Sequence, residues 1–136
     1  MHTLFTTEEL TLDVPEIYGI SSALKTVKLG YYLLKNPYLG VERIEDISNY
    51  DKTSMHAAYE IIFLDDNYKC LLIKNRGTNS FFFNAYKNID YLLCSLNEEE
   101  INNEIIEIVS KLHGVSICFA LKKPNQNEIL NFSQLL

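Results

Sequence analysis

Histidine, cysteine and clustered carboxylates are the side chains of this 136-residue chain that could carry chemistry, and they are few. His56 and His113 are the histidines away from the amino-terminal tip. As an acid–base pair they could hydrolyse RNA or an ester, provided both rings reach one reacting atom. Each also has a simpler role. His113 follows Lys111 at a helix end, where positive charge suits the exposed carbonyls, and His56 opens a strand. Cys94 would be a nucleophile only beside a base, and Leu92-Leu93-Cys94-Ser95-Leu96 reads as a buried apolar face. No catalytic residue is assigned, and the chain is expected not to be an enzyme.

The acidic groups come in two clusters. Asp65-Asp66-Asn67 offers oxygen ligands for a hard cation, but it lacks the glycine and the distal glutamate of an EF-hand loop. It reads as a turn, because Asn67 tolerates positive φ. Glu98-Glu99-Glu100 places negative charge where a helix begins, which suits the helix dipole and equally suits a basic partner. Asp65, Asp66, Glu98, Glu99 and Glu100 are therefore the candidate partner-binding residues. There is no P-loop, no G-x-G-x-x-G, no G-x-S-x-G and no H-E-x-x-H. The three cysteines, Cys70, Cys94 and Cys118, are odd in number and include no C-x-x-C pair. Neither a metal nor a cofactor is expected, and all three thiols should be free.

Composition narrows the function classes. Apolar residues make up 47 % and charged residues 22 %, ordinary for one folded domain that buries its own core. The formal charge of −6 argues against nucleic acid, which needs clustered Lys and Arg to displace counterions. Arg43 and Arg76 are the only arginines, which weakens that class further. No basic leader precedes an apolar run, and no stretch of about 18 uninterrupted apolar residues could span a membrane. The expectation is a cytoplasmic protein without a membrane partner. Its richness in Asn and Ile fits an AT-rich, bacterial or phage coding genome.

These residues need elements to position them. Asn97 reads as an N-cap with Glu100 in the capping-box position. Ile101, Ile105, Ile108 and Leu112 form an apolar stripe, and Gly114 stops the helix. Val115, Ile117, Phe119 and Leu121 then alternate as a buried strand. Upstream, Asp13 caps and Pro15 begins a helix whose seam is Ile17, Ile20, Leu24, Val27, Tyr31 and Leu34, ended by Asn36-Pro37. Such a seam suits one long helix lying on a sheet or pairing with a copy of itself.

Leu39 to Tyr50 predicts an edge strand protected by its charges. Tyr59 to Lys74 predicts a hairpin around Asp65-Asp66-Asn67 with both faces buried. Arg76 to Asn79 is a turn, and a helix is expected from about Asn84 to Leu96, with Phe81-Phe82-Phe83 as an alternative strand. Ile129 to Leu136 reads as a final strand or short helix.

The fold class is α+β: one domain over residues 1–136, with a mostly antiparallel sheet of four to five strands and helices on one face. An acidic domain without a catalytic constellation, carrying nine Tyr for an interface, reads as a binding protein. The specific expectation is an inhibitor of the immunity or antitoxin kind, which blocks a basic toxin or nuclease by direct binding. The alternatives are a secretion-chaperone-like homodimer that holds an effector, and a small hydrolase or nucleotide-binding enzyme using His56 and His113.

Overall fold

Short apolar runs separated by polar turns give six strands among the described residues, and they join in one sheet. In the computed structural model, residues 14–96, 100–125 and 128–136 are described. The strands are β1 (Ile17–Ser22), β2 (Leu39–Ser48), β3 (Met55–Phe63), β4 (Tyr68–Lys74), β5 (Tyr91–Ser95) and β6 (Val115–Ala120). The helices are α1 (Thr26–Leu34), α2 (Asn103–Ser110) and α3 (Ile129–Ser133). The sheet order is β2-β3-β4-β5-β1-β6 and every pairing is antiparallel. The α+β class therefore holds, with six strands where four to five are expected.

The central strands lack polar alternation because both of their faces are covered. On one face Ile20, Tyr59, Ile61, Cys70, Leu72, Tyr91 and Leu93 pack under α1 and α2, which contribute Leu29, Leu33, Ile105 and Val109. On the other, Ile17, Ala58, Leu71, Ile73, Leu92 and Cys94 meet Phe82, Phe83 and Phe132. The three phenylalanines pack edge to face, with ring centroids 5.0 Å apart for Phe82–Phe132 and Phe83–Phe132. The expectation of helices on one face is thus corrected. The second face is roofed by α3 and by the excursion between β4 and β5.

That excursion also corrects the expected helix from Asn84 to Leu96. Only Asn84–Tyr86 turn, as one short 3-10 segment, and β5 follows. Buried Asn75 fixes the path. Its amide donates to the carbonyls of Tyr86 (2.9 Å) and Ile89 (3.0 Å), and its carbonyl oxygen accepts from Phe83 N–H (2.8 Å). One side chain satisfies backbone groups that a helix would otherwise have paired.

The long helix expected from Asp13 is a strand followed by a nine-residue helix. Asp13 lies outside the described residues. Ile17 and Ile20 face opposite sides of the sheet, so their spacing of three came from a strand. Within α1 the buried positions are Leu29, Gly30 and Leu33, whereas Val27, Tyr31 and Leu34 of the expected seam are exposed. α1 has no side-chain cap. It is held instead by Tyr91, whose hydroxyl donates to the Leu24 carbonyl (2.6 Å), and by Tyr59, whose hydroxyl donates to the Thr26 carbonyl (3.1 Å).

Asn97, the expected cap, lies outside the described residues, and the helix that carries the apolar stripe begins at Asn103. Asn102 caps it, its side-chain oxygen accepting from Glu104 N–H at 2.7 Å. Glu100 and Ile101 precede the helix, so Glu100 is in no capping box. Gly114 does stop the chain as expected, at φ +87°. β6 follows but is an edge strand with its middle open to solvent, which corrects its expected burial. β2 is the other edge, and the β3–β4 hairpin turns at Asn67 with φ +61°, both as expected. Residues 129–133 take the helical alternative.

Candidate functional site

The hairpin, the turn after α1 and the outer flank of α2 enclose a cleft of about 640 Å³. The hairpin contributes Phe63 and Asp65, and the turn contributes Asn36 and Tyr38. α2 and its exit contribute Glu104, Glu107, Ile108, Lys111, Leu112 and His113. Local bonding fixes the rim. The Asn36 side chain accepts from Tyr38 N–H (2.9 Å), and Leu64 N–H donates to the Tyr38 carbonyl (2.9 Å). Asp66 accepts from Tyr68 N–H (3.0 Å) and so shapes the hairpin tip.

Three carboxylates border this cleft over an apolar floor of Phe63, Ile108 and Leu112. Glu107 pairs with Lys111 at 2.8 Å, and that ammonium holds its carboxyl below the usual range. Both groups are exposed, so the pair adds little stability. Asp65 and Glu104 make no ion pair among the described residues. The local field is therefore negative, and it lies next to apolar surface.

The expected contact residues divide accordingly. Asp65 lines the cleft, and Asp66 shapes its turn. Glu100 borders a separate hollow shared with Glu16, Lys122 and Lys123. Its backbone carbonyl nonetheless accepts from the Tyr68 hydroxyl (2.7 Å), which ties that segment to the hairpin. Glu98 and Glu99 lie outside the described residues. Glu104 and Glu107 were missed by reasoning from clusters, because they are separated in sequence and meet Asp65 only through packing. Their signal was available: they sit three apart, and Glu107 lies four before Lys111, the spacing of one exposed helix flank.

The two histidines do not converge. His113 shares the cleft with Phe63, while His56 lies seven residues back along β3, about 23 Å away at strand rise. His56 is fully buried, with Nδ1 donating to the Lys74 carbonyl at 3.0 Å and its ring 5.1 Å from that of Phe82. Burial lowers its pKa and keeps the imidazole neutral. Its Nε2 has no hydrogen-bond partner. Cys70 and Cys94 are fully buried; burial pushes the Cys70 thiol up to about 12 and the Cys94 thiol higher still. Neither is a thiolate nucleophile at neutral pH.

Among the described residues no three His, Cys, Asp or Glu side chains gather as metal ligands. No helix among them is long and apolar enough to cross a membrane. No protein-family model matches this chain, and neither a characterised protein nor a solved structure shows significant similarity to it.

Proposed function

We propose that this chain is a binding protein whose acidic cleft receives a basic, partly apolar segment of a protein partner, in the manner of an inhibitor that blocks a toxin or nuclease. The observation that carries the reading is the meeting of Asp65 with Glu104 and Glu107 over Phe63, Ile108 and Leu112. Carboxylates at such a rim attract a cationic segment and raise its association rate. The apolar floor then holds the stem of a long basic side chain or a neighbouring aliphatic group. The separation of His56 from the cleft that holds His113 supports this reading over the rival hydrolase that would use both rings.

The test is co-purification from the native host, with the tagged wild-type chain beside an Asp65→Lys/Glu104→Lys variant. Both substitutions fall on exposed positions, so the fold should survive. The expected result is one basic protein retained by the wild type in a salt-dependent way and lost by the variant. Equal retention by both would place the interface elsewhere. A turnover that disappears on replacing His56 and His113 would restore the enzyme reading.

A further inference from the structure

β6 ends the sheet, and among the described residues no strand pairs with its outer side. From Val115 to Leu121 it contains no charge and no proline. Ile117 and Phe119 remain 50 % and 37 % exposed. Such an edge is a template for another strand.

The direction in which each backbone group points follows from two hydrogen bonds. Leu121 N–H donates to the Ile17 carbonyl (2.9 Å), and Ser95 N–H donates to the Glu16 carbonyl (3.0 Å). Odd residues of β1 thus bond toward β6 and even ones toward β5. In antiparallel pairing the bonded pairs alternate, so Ile117, Phe119 and Leu121 bond toward β1. Cys118 and Ala120 are left with their N–H and C=O groups facing outward, while Ser116 is the extra residue of a bulge opposite Ser21 and Ser22.

We infer that β6 pairs antiparallel with β6 of a second copy, about a two-fold axis through Cys118. In this register Ser116 faces Ala120 of the second copy, Cys118 faces Cys118, and Ala120 faces Ser116. Cys118 then exchanges both bonds with its opposite, and Ala120 reaches the bulge at Ser116 of the other copy. Ile117 of each copy falls beside Phe119 of the other on the sheet face away from α2, an apolar cross-strand pair made twice. The strand is self-complementary about this axis because its two exposed apolar residues flank the axis and no charge meets its own image.

Three further features favour a copy over a different protein. Among the described residues β6 is the one edge free of charge, since the β2 edge carries Glu42, Arg43, Glu45 and Asp46. One open edge closes as an isologous dimer and stops there. Beyond the paired stretch, Lys122 and Lys123 of each copy run toward the Gly114 turn of the other. There the last carbonyls of α2 present the negative end of its dipole, and the nearby Lys111 is paired with Glu107, so the incoming lysines meet no unpaired cation of that helix end. The acidic cleft borders the far flank of α2 and stays open in the pair.

The experiment combines mass with residue-resolved amide exchange on the full-length chain. Light scattering at 1–100 µM should give twice the 15.7 kDa chain mass, and the amides of Cys118 and Ala120 should be protected. Ile117→Lys sets a charge against Phe119 of the second copy. It should raise the dimer dissociation constant by about 100-fold and release those two amides. Cys118→Pro removes an outward N–H without touching the bonds to β1, and should do the same. A monomer throughout the range overturns the inference. So does a dimer in which those amides exchange freely, or one that Ile117→Lys leaves intact.

Discussion

At one end of the sheet, β2 presents Glu42, Arg43, Glu45 and Asp46, while at the other β6 runs through six residues without a charge. The Arg43 guanidinium reaches Asp46 at 2.7 Å and donates to the carbonyls of Ala58 and Ile44 around a bulge. Charge, bulge and a capped ladder are the ordinary devices that refuse another strand. β6 lacks the charges and the capped ladder, and its own bulge lies at its beginning, at Ser116; α2 roofs it as α1 roofs the β2 side. The difference is therefore not one of core coverage. Stability asks only that each edge be covered on its buried face, and β6 meets that condition with no strand on its outer side among the described residues.

The largest effect expected from breaking this comparison lies beneath the guarded edge. A Cβ on Gly30 would collide with the Tyr59 hydroxyl oxygen and stand 2.5 Å from its ring. Tyr59 is buried and bonded to the Thr26 carbonyl, so it has little room to yield. Gly30→Ala gains about 1 kcal/mol of helix propensity and loses about 3 kcal/mol to overpacking, a net loss of about 2 kcal/mol. Urea unfolding measures it. The loss should vanish in a Tyr59→Leu background, and an additive double-mutant cycle would show that α1 is not held by this contact.

Next in size is the guard itself. Arg43→Thr, Glu45→Thr and Asp46→Thr together should cost at most about 1 kcal/mol, because the groups are half exposed. Assembly should change more than stability. With two open edges, copies can add without closing, so light scattering should show species beyond the dimer that grow with concentration. If the stripped variant keeps the wild-type mass, the bulge alone guards β2.

How far the sequence disclosed these edges follows from what each pattern depends on. β2 was legible because its protection is written in charged side chains. The hairpin was legible because Asp65-Asp66-Asn67 is a local turn signal. β1 and β5 were misread as helix because Ile17, Ile20 and Leu24, or Ile89 and Leu93, fit helical spacing by coincidence. Only the sheet around them makes both of their faces apolar. Asn75 gave no local sign that it would hold three backbone groups of a distant loop. The cleft was half visible: Asp65 stood out in a cluster, whereas Glu104 and Glu107 joined it only when α2 packed beside the hairpin.

A smaller contrast concerns the thiols. Cys70 and Cys94 occupy adjacent central strands, while Cys118 lies half-buried in the open edge. Native protein should expose one thiol to a disulfide reagent and unfolded protein three. Burial raises the Cys118 pKa too, so its labelling should be slower than that of a free thiol at the same pH. Dilution should accelerate it if pairing covers the edge. Labelling of Cys70 or Cys94 as fast as Cys118 would mean that the centre opens as readily as the rim.

The smallest effect is confined to mild acid and acts on the guarded side. His56 is opposite Ile47, the first β2 residue paired after the bulge. Its pKa is lowered chiefly by burial, against smaller raising effects from the Lys74 and Asn75 backbone and from Asp46. The folded state therefore binds a proton less readily than the unfolded chain, whose histidine titrates near 6.5. The stability tied to neutral His56 is complete above about pH 6.5 and is lost as pH falls through the lower folded value. Urea unfolding between pH 5 and 8 should show this slope, in a window above the ordinary carboxylate range. His56→Leu should be less stable at pH 8, because the Lys74 carbonyl loses its donor, yet flatter with pH. Amide exchange at the Ile47 end of β2 should quicken in acid before that of β4. Equal acceleration in both strands would place the proton's effect on the whole fold and not on the edge.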